Sequence, residues 1–334
     1  MAEKETKIKD FELIAKSIVK EFGPRALIFG KENDIVKDLT RIPTGLFTLD
    51  LITGGGYPEG RIVEIYGRPG VGKTFAGLAC IVANQERIKQ QGRKVIFLDV
   101  EGAFNYEWAE KLGVDTGSEC FIISRADYAE DYLEILDRVI RSGAVGLAVL
   151  DSVAALVTKE EVEKNMSEDT MAKQARLMNK ALKKLGPACL KNKATLILIN
   201  QMRASMQPYG AKWVVPGGHA REYWVYMMIE MRYAGYLENK KGHIIQATVM
   251  KNKTAAPFKS ANFTLFYENP IFPEYEILSL AKSFALIEKK KNGYFFFGDQ
   301  NLGRTQDVIN KLKEDKQLVE SFQKQRFEIM WGEI

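Results

Sequence analysis

The stretch Gly67-Arg68-Pro69-Gly70-Val71-Gly72-Lys73-Thr74 constrains this chain more than any other, because Gly, four spacers, Gly, Lys and a hydroxyl residue have the spacing of a phosphate-cradling loop. Such a loop belongs between a strand and a helix. Arg61 to Tyr66 alternate and are β-rich, and Phe75 to Asn84 form a helix-length apolar run without proline, so the context is met. Glycines let backbone N–H groups turn toward a polyphosphate, and the following helix points its positive dipole end at the same anion. Lys73 adds a point charge and Thr74 can ligate Mg²⁺. With glycine near 7% of residues, the four fixed positions recur by chance on the order of 1% of the time in a chain this long. An ordinary glycine-rich turn is the competing reading.

Composition sets the outer limits. A chain of 334 residues with 46% hydrophobic content can bury one large core and a smaller satellite. Met1 to Asp10 is charged and no apolar run approaches membrane-span length, so a cytoplasmic protein without a membrane partner is expected. Cys80, Cys120 and Cys189 lack metal-ligand spacing and read as buried thiols. The net charge of +5 is mild, so any polyanion must be met by local patches.

In chain order, Phe11, Ile14, Ala15, Ile18, Val19 and Phe22 recur at helical spacing, followed by Gly23-Pro24, a short apolar strand from Ala26 to Phe29 and a polar linker from Lys31 to Asp38. This N-terminal arm packs either on its own core or on a neighbouring copy. Beyond the phosphate loop, apolar strands and helical patterns alternate up to Asn200, which predicts a mostly parallel sheet flanked by helices. Runs from Tyr223 to Arg232, Ile244 to Asn252 and Asn262 to Tyr267 then follow without helices and predict an antiparallel extension. From about Ile271 a helix from Ile277 to Ile287, a hairpin at Asn292-Gly293 and a helix from Gln306 to Arg326 read as a small α+β domain. The divisions are 1–33, 34–270 and 271–334.

In a parallel sheet ligands collect at the C-terminal strand ends, so the polar residues closing apolar runs are site candidates: Glu101, Asp151 and Gln201. Asp151 suits a carboxylate beside the phosphate loop that holds Mg²⁺, or else a plain helix cap. Glu101 can orient, or take a proton from, a water attacking a γ-phosphate. The amide of Gln201 can contact that phosphate and report its loss. After it, the stretch from Met202 to Gly218 holds no Asp or Glu but carries Met202, Arg203, Met206, Tyr209, Lys212 and Trp213. Cations interleaved with stacking side chains suit single-stranded nucleic acid, and a lid over the nucleotide is the alternative. The helix from Met171 to Lys191 presents Lys173, Arg176, Lys180, Lys183 and Lys184 on one side, either a solvated face or, at Arg176, a phosphate contact. Lys251 and Lys253, two apart on a strand, share a face and are either surface lysines or cations completing a neighbour's nucleotide site.

Taken together these residues resemble the RecA family of recombinases over nearly the whole chain. The resemblance runs through Phe22-Gly23-Pro24, Arg61-Ile62-Val63-Glu64-Ile65-Tyr66-Gly67, Lys111-Leu112-Gly113-Val114-Asp115, Asp151-Ser152-Val153-Ala154-Ala155-Leu156, Ile199-Asn200-Gln201 and Lys251-Asn252-Lys253. It implies an α/β fold: a RecA-type P-loop ATPase core with a mostly parallel central sheet, an N-terminal helix-strand arm and a small C-terminal α+β domain. It implies ATP on Gly67, Arg68, Pro69, Gly70, Val71, Gly72, Lys73 and Thr74, Mg²⁺ near Thr74 and Asp151, and Glu101 activating water. It also implies Gln201 coupling the γ-phosphate to a DNA loop, Lys251 and Lys253 acting across an interface, Trp108 near the adenine, and DNA contacts at Met171, Arg176 and Arg203.

The sequence departs from the family pattern at Lys212-Trp213-Val214-Val215-Pro216, where bacterial members are more polar, and at Glu222, where a basic interface residue is common. The family's acidic tail has no counterpart before Ile334, which by analogy removes an internal competitor for DNA. Such divergence is similar to that of bacteriophage-encoded members. The expected function is a DNA-dependent ATPase that forms a helical filament on single-stranded DNA and pairs it with homologous duplex DNA in recombination, repair and the SOS response to DNA damage. A ring-forming helicase and a small-molecule phosphotransferase are the rival classes.

Overall fold

The computed structural model describes residues 2–23, 26–27, 39–163, 171–204, 213–216, 220–237, 240–268, 273–290 and 292–331. The chain divides into two compact units, 1–40 and 41–334. In the first, a helix runs from Ala2 to Phe22 and ends at Gly23, whose φ of 93° leaves the helical region. The strand expected over 26–29 and the linker over 31–38 fall largely outside the described residues.

The second unit is built on an eight-stranded sheet. Its strands in chain order are β1 (Ile62–Gly67), β2 (Lys94–Asp99), β3 (Phe121–Ser124), β4 (Val145–Asp151), β5 (Thr195–Gln201), β6 (Met227–Tyr236), β7 (Gly242–Asn252) and β8 (Ser260–Phe266). They lie side by side as β8-β7-β6-β1-β5-β4-β2-β3. The pairings from β6 through β3 are parallel, and only β7 and β8 are antiparallel additions. The antiparallel extension thus starts one strand later than the sequence pattern suggested. Its first run also begins differently: Ala220–Trp224 is a short helix, and the strand opens at Met227.

Two-residue periodicity explains how one sheet feeds two cores. Val63 and Ile65 of β1 and Val149 of β4 enter the apolar cluster on one face, which holds the helices Phe47–Thr53 and Lys73–Gln90. Ile62, Ala148 and Leu150 enter the cluster on the other, with helices Ala129–Arg141 and Met171–Asn192. Every residue of β4 is buried, as a strand covered on both faces requires.

A third cluster joins Ile277, Phe295, Leu302, Val308 and Phe322 in the C-terminal part. There, helix Pro273–Ser283 precedes a three-stranded antiparallel sheet and the helices Thr305–Glu314 and Lys316–Trp331, so the single expected helix is broken at Asp315. The three cysteines are free and buried. Among the described residues no helix is long and apolar enough to cross a membrane.

Candidate nucleotide site and nucleic-acid interface

The loop from Gly67 to Thr74 leaves β1 and enters helix Lys73–Gln90. Its glycines are required by space as well as by conformation. A Cβ on Gly67 would lie 2.3 Å from the Met231 carbonyl oxygen, and Gly70 and Gly72 have φ of 74° and 101°. Arg68, Pro69 and Gly70 are exposed and Val71 is buried. Lys73 is buried, and its Nζ donates to the Arg68 carbonyl at 2.8 Å, curling the loop around its own cation. Burial pushes the Lys73 ammonium below its ordinary range, opposed by Asp151 and then Glu101.

Thr74 Oγ1 donates to Asp151 Oδ2 at 2.6 Å. Burial raises the Asp151 carboxyl to about 6, against the Thr74 hydrogen bond and Lys73, which pull it down. A hydroxyl and a buried carboxylate are hard oxygen ligands and fit Mg²⁺. Among the described residues no group of three or more His, Cys, Asp or Glu is arranged to hold a metal ion by itself, and none is needed by an ion that keeps waters and phosphate oxygens.

Glu101 is exposed, and its Oε1 accepts from Ser152 Oγ at 2.5 Å and from Gln201 Nε2 at 2.6 Å. The three strand-end residues singled out from sequence therefore meet along one edge. What folds the loop carrying Glu101 is Asp99, which the sequence reading passed over. Asp99 closes β2, pairs in register with Asp151, is 3% exposed and accepts the backbone N–H groups of Ala103 and Phe104 at 3.0 and 3.2 Å. Arg125 balances its charge at 2.8 Å. The available signal was that Asp99, like Asp151, is the first charge after an apolar run. Beside this edge lies a cavity of about 180 Å³ whose wall includes Thr74, Phe97, Glu101, Phe104, Trp108 and Asp151. Trp108 thus lines the same space as the phosphate-loop hydroxyl.

The acid-free stretch begins where β5 ends. Met202 donates its N–H to the Gly67 carbonyl at 3.0 Å, and Arg203–Ala204 pairs antiparallel with Trp213–Val214. The Trp213 ring lies 4.3 Å from the Arg68 guanidinium, a cation–π contact between this ribbon and the phosphate loop. Arg203 is exposed and donates to the Ala154 carbonyl. Met206, Tyr209 and Lys212 lie outside the described residues. Met171 opens helix Met171–Asn192, on which Arg176, Lys180, Lys183 and Lys184 are exposed while Lys173 pairs with Glu160 at 2.5 Å.

Lys251 lies on β7 and Lys253 just past its end at Asn252, so the two are not both strand residues, yet both turn to the same short helix, set back from the phosphate loop. Both ammonium groups donate to carbonyls around helix Ala220–Trp224: Lys251 to Glu222 and, at 2.8 Å, to Val225, and Lys253 to Tyr223 at 2.9 Å. Met228 of β6 pairs with both Lys251 and Glu64, whereas Met231 pairs with Gly67, so the lysines sit about 10 Å back along the sheet, toward its opposite edge.

Residues 9–272 match the family described as the RecA N-terminal domain. Protein RecA of Aquifex aeolicus is 39% identical over 320 residues, spanning 94% of this chain and 90% of that protein. Protein RecA of Aquifex pyrophilus is 38% identical over 329 residues, spanning 97% and 92%. That of Thermotoga neapolitana is 36% identical over 334 residues, spanning 97% and 93%.

Proposed function

Because the chain belongs to the RecA family, we propose that it is a recombinase: a DNA-dependent ATPase that polymerises on single-stranded DNA and catalyses homologous pairing and strand exchange. The observation that carries this reading is the contact of Gln201 with Glu101 at 2.6 Å, because Gln201 also opens the acid-free stretch. One side chain thereby touches the group suited to activating water and begins the segment suited to DNA.

The residues divide the work as follows. Backbone N–H groups from Gly70 to Thr74 receive the phosphates, and Lys73 exchanges the Arg68 carbonyl for phosphate oxygen. Thr74 and Asp151 would hold Mg²⁺, which supplies neutralisation of phosphate charge. Glu101, with Oε1 occupied by Ser152 and Gln201, has Oε2 left to orient a water and accept its proton. Trp108 walls the space available to the base. Arg203, Trp213 and Arg176, with Met171, Met202, Met206, Tyr209 and Lys212, are assigned to DNA, where cations track phosphates and flat or thioether side chains stack or wedge. Lys251 and Lys253 are assigned to the triphosphate of the next protomer, and the arm, 1–33, to self-association.

The test is ATP hydrolysis with and without single-stranded DNA, with negative-stain images in a non-hydrolysable analogue. Stimulated turnover and helical filaments are expected, and Lys73→Ala should abolish turnover. Turnover indifferent to DNA, together with closed rings or isolated particles, would reject the reading.

A further inference from the structure

The hydrogen bonds do not stop at Gln201. Its backbone N–H donates to Asn200 Oδ1 at 3.0 Å, and Asn200 is fully buried. The Asn200 amide in turn donates to Glu64 Oε1 and to the Pro216 carbonyl, each at 2.9 Å. Glu64, 1% exposed in the middle of β1, takes Arg221 on its other oxygen at 2.9 Å. Arg221 belongs to the short helix whose carbonyls hold Lys251 and Lys253. A continuous relay therefore crosses the sheet from Glu101 at one edge to the two lysines at the other.

We propose that the buried Glu64–Arg221 pair is the positioning element through which the state of the nucleotide edge sets the presentation of Lys251 and Lys253 to the neighbouring protomer. The inference rests on the function proposed above. The pair resists drifting partway, because Glu64 is 1% exposed and would keep only the Asn200 amide against its buried charge if the guanidinium of Arg221, itself 14% exposed, moved away. Such a pair tends to two discrete arrangements rather than a continuum. When Gln201 exchanges Glu101 for a phosphate oxygen, its backbone pulls on Asn200, which holds both Glu64 and the far end of the acid-free stretch at Pro216. The helix following that stretch then shifts as a unit, carrying the carbonyls on which both lysines hang. Arg221 and Glu64 touch no reacting atom, so they act only through Asn200 and the helix.

The experiment uses the full chain with the double substitution Glu64→Gln and Arg221→Met, which removes the pair without burying a lone charge. It is made alongside Arg221→Met, which leaves Glu64 unpaired and serves as the harsher variant. Circular dichroism reports folding, a fluorescent ATP analogue reports nucleotide binding, and fluorescence anisotropy of labelled oligo(dT) reports DNA affinity with and without a non-hydrolysable ATP analogue. The expected result is a folded double variant that binds nucleotide within about twofold of wild type but loses at least tenfold of the nucleotide-induced tightening on DNA. If the folded double variant tightens on DNA as wild type does, the relay is wrong and the functional reading stands. If wild type itself shows no nucleotide-induced tightening, the functional reading falls and takes the relay with it. Should the double variant not fold, Arg221→Lys decides the matter: it retains the charge and should retain tightening with an altered Hill coefficient for ATP, and an unaltered coefficient counts against the relay.

Discussion

Glu101 shows how one side chain is specialised by its neighbours. Its Oε1 is held by Ser152 and Gln201, so the carboxylate is oriented before any substrate arrives. Glu101→Gln should bind nucleotide normally and lose turnover by about 10²-fold or more, read as ATP hydrolysis against binding of a fluorescent analogue. Wild-type turnover in that variant would remove Glu101 as the base. Asp50 carries a separate, structural prediction. Burial raises its carboxyl from the ordinary 3.8 to about 6, although it accepts the Thr44 N–H at 2.8 Å. Below about pH 4 folded and unfolded chains both hold the proton and nothing is gained or lost. As pH rises the unfolded chain releases it first, so stability falls through this window and the full penalty stands above pH 6. Asp50→Asn keeps the acceptor without the charge, and should raise the melting temperature at pH 7.5 by roughly 5 °C while leaving it unchanged at pH 4. Equal shifts at both values would refute the assignment. At this scale the sequence disclosed residues that punctuate apolar runs, namely Asp151, Gln201 and Glu101. It hid Asp99, because an acid two positions from a better-placed one is silent until the turn at Ala103 and Phe104 shows whose oxygens fold it.

Elements were legible where periodicity was long and pure. The run that became β4 and the helix from Met171 to Asn192 lie where apolar spacing put them, since burial on both faces or on one stripe leaves a strong pattern. Helix Ala220–Trp224 was missed because Tyr223 and Trp224 favour strands, and what fixes it as a helix is distant: Arg221 pairs with Glu64, and two lysines take its terminal carbonyls. Helix Phe47–Thr53 is similarly set from afar, its first N–H groups being accepted by Glu276 at 3.1 and 2.6 Å. The ribbon Arg203–Ala204 with Trp213–Val214 yields an element-scale prediction. If the ribbon carries a DNA loop, Arg203→Ala should weaken binding to single-stranded DNA uniformly across sequences and reduce the magnitude of the salt-dependence slope by about 0.7, measured by anisotropy titrations at several salt concentrations. An unchanged slope would mean that Arg203 serves only the Ala154 carbonyl.

For the molecule as a whole, the sheet register separates two groups of cations that the proposed chemistry needs together. Lys73 follows the C-terminal end of β1, while Lys251 lies beside Met228, toward the other edge. One chain presents a phosphate loop at one edge and a pair of lysines at the other, and on the function proposed above each site would take half its cations from a neighbour in a head-to-tail polymer. Mixing separates this from a self-contained site. Lys73→Ala protein has an intact lysine pair and a dead loop, and Lys251→Ala protein has the reverse. In an equimolar co-polymer on single-stranded DNA, about a quarter of interfaces join the good loop of one variant to the good lysines of the other, so hydrolysis should recover to roughly that fraction of wild type. A site completed within one chain predicts no recovery beyond the sum of the two separate activities.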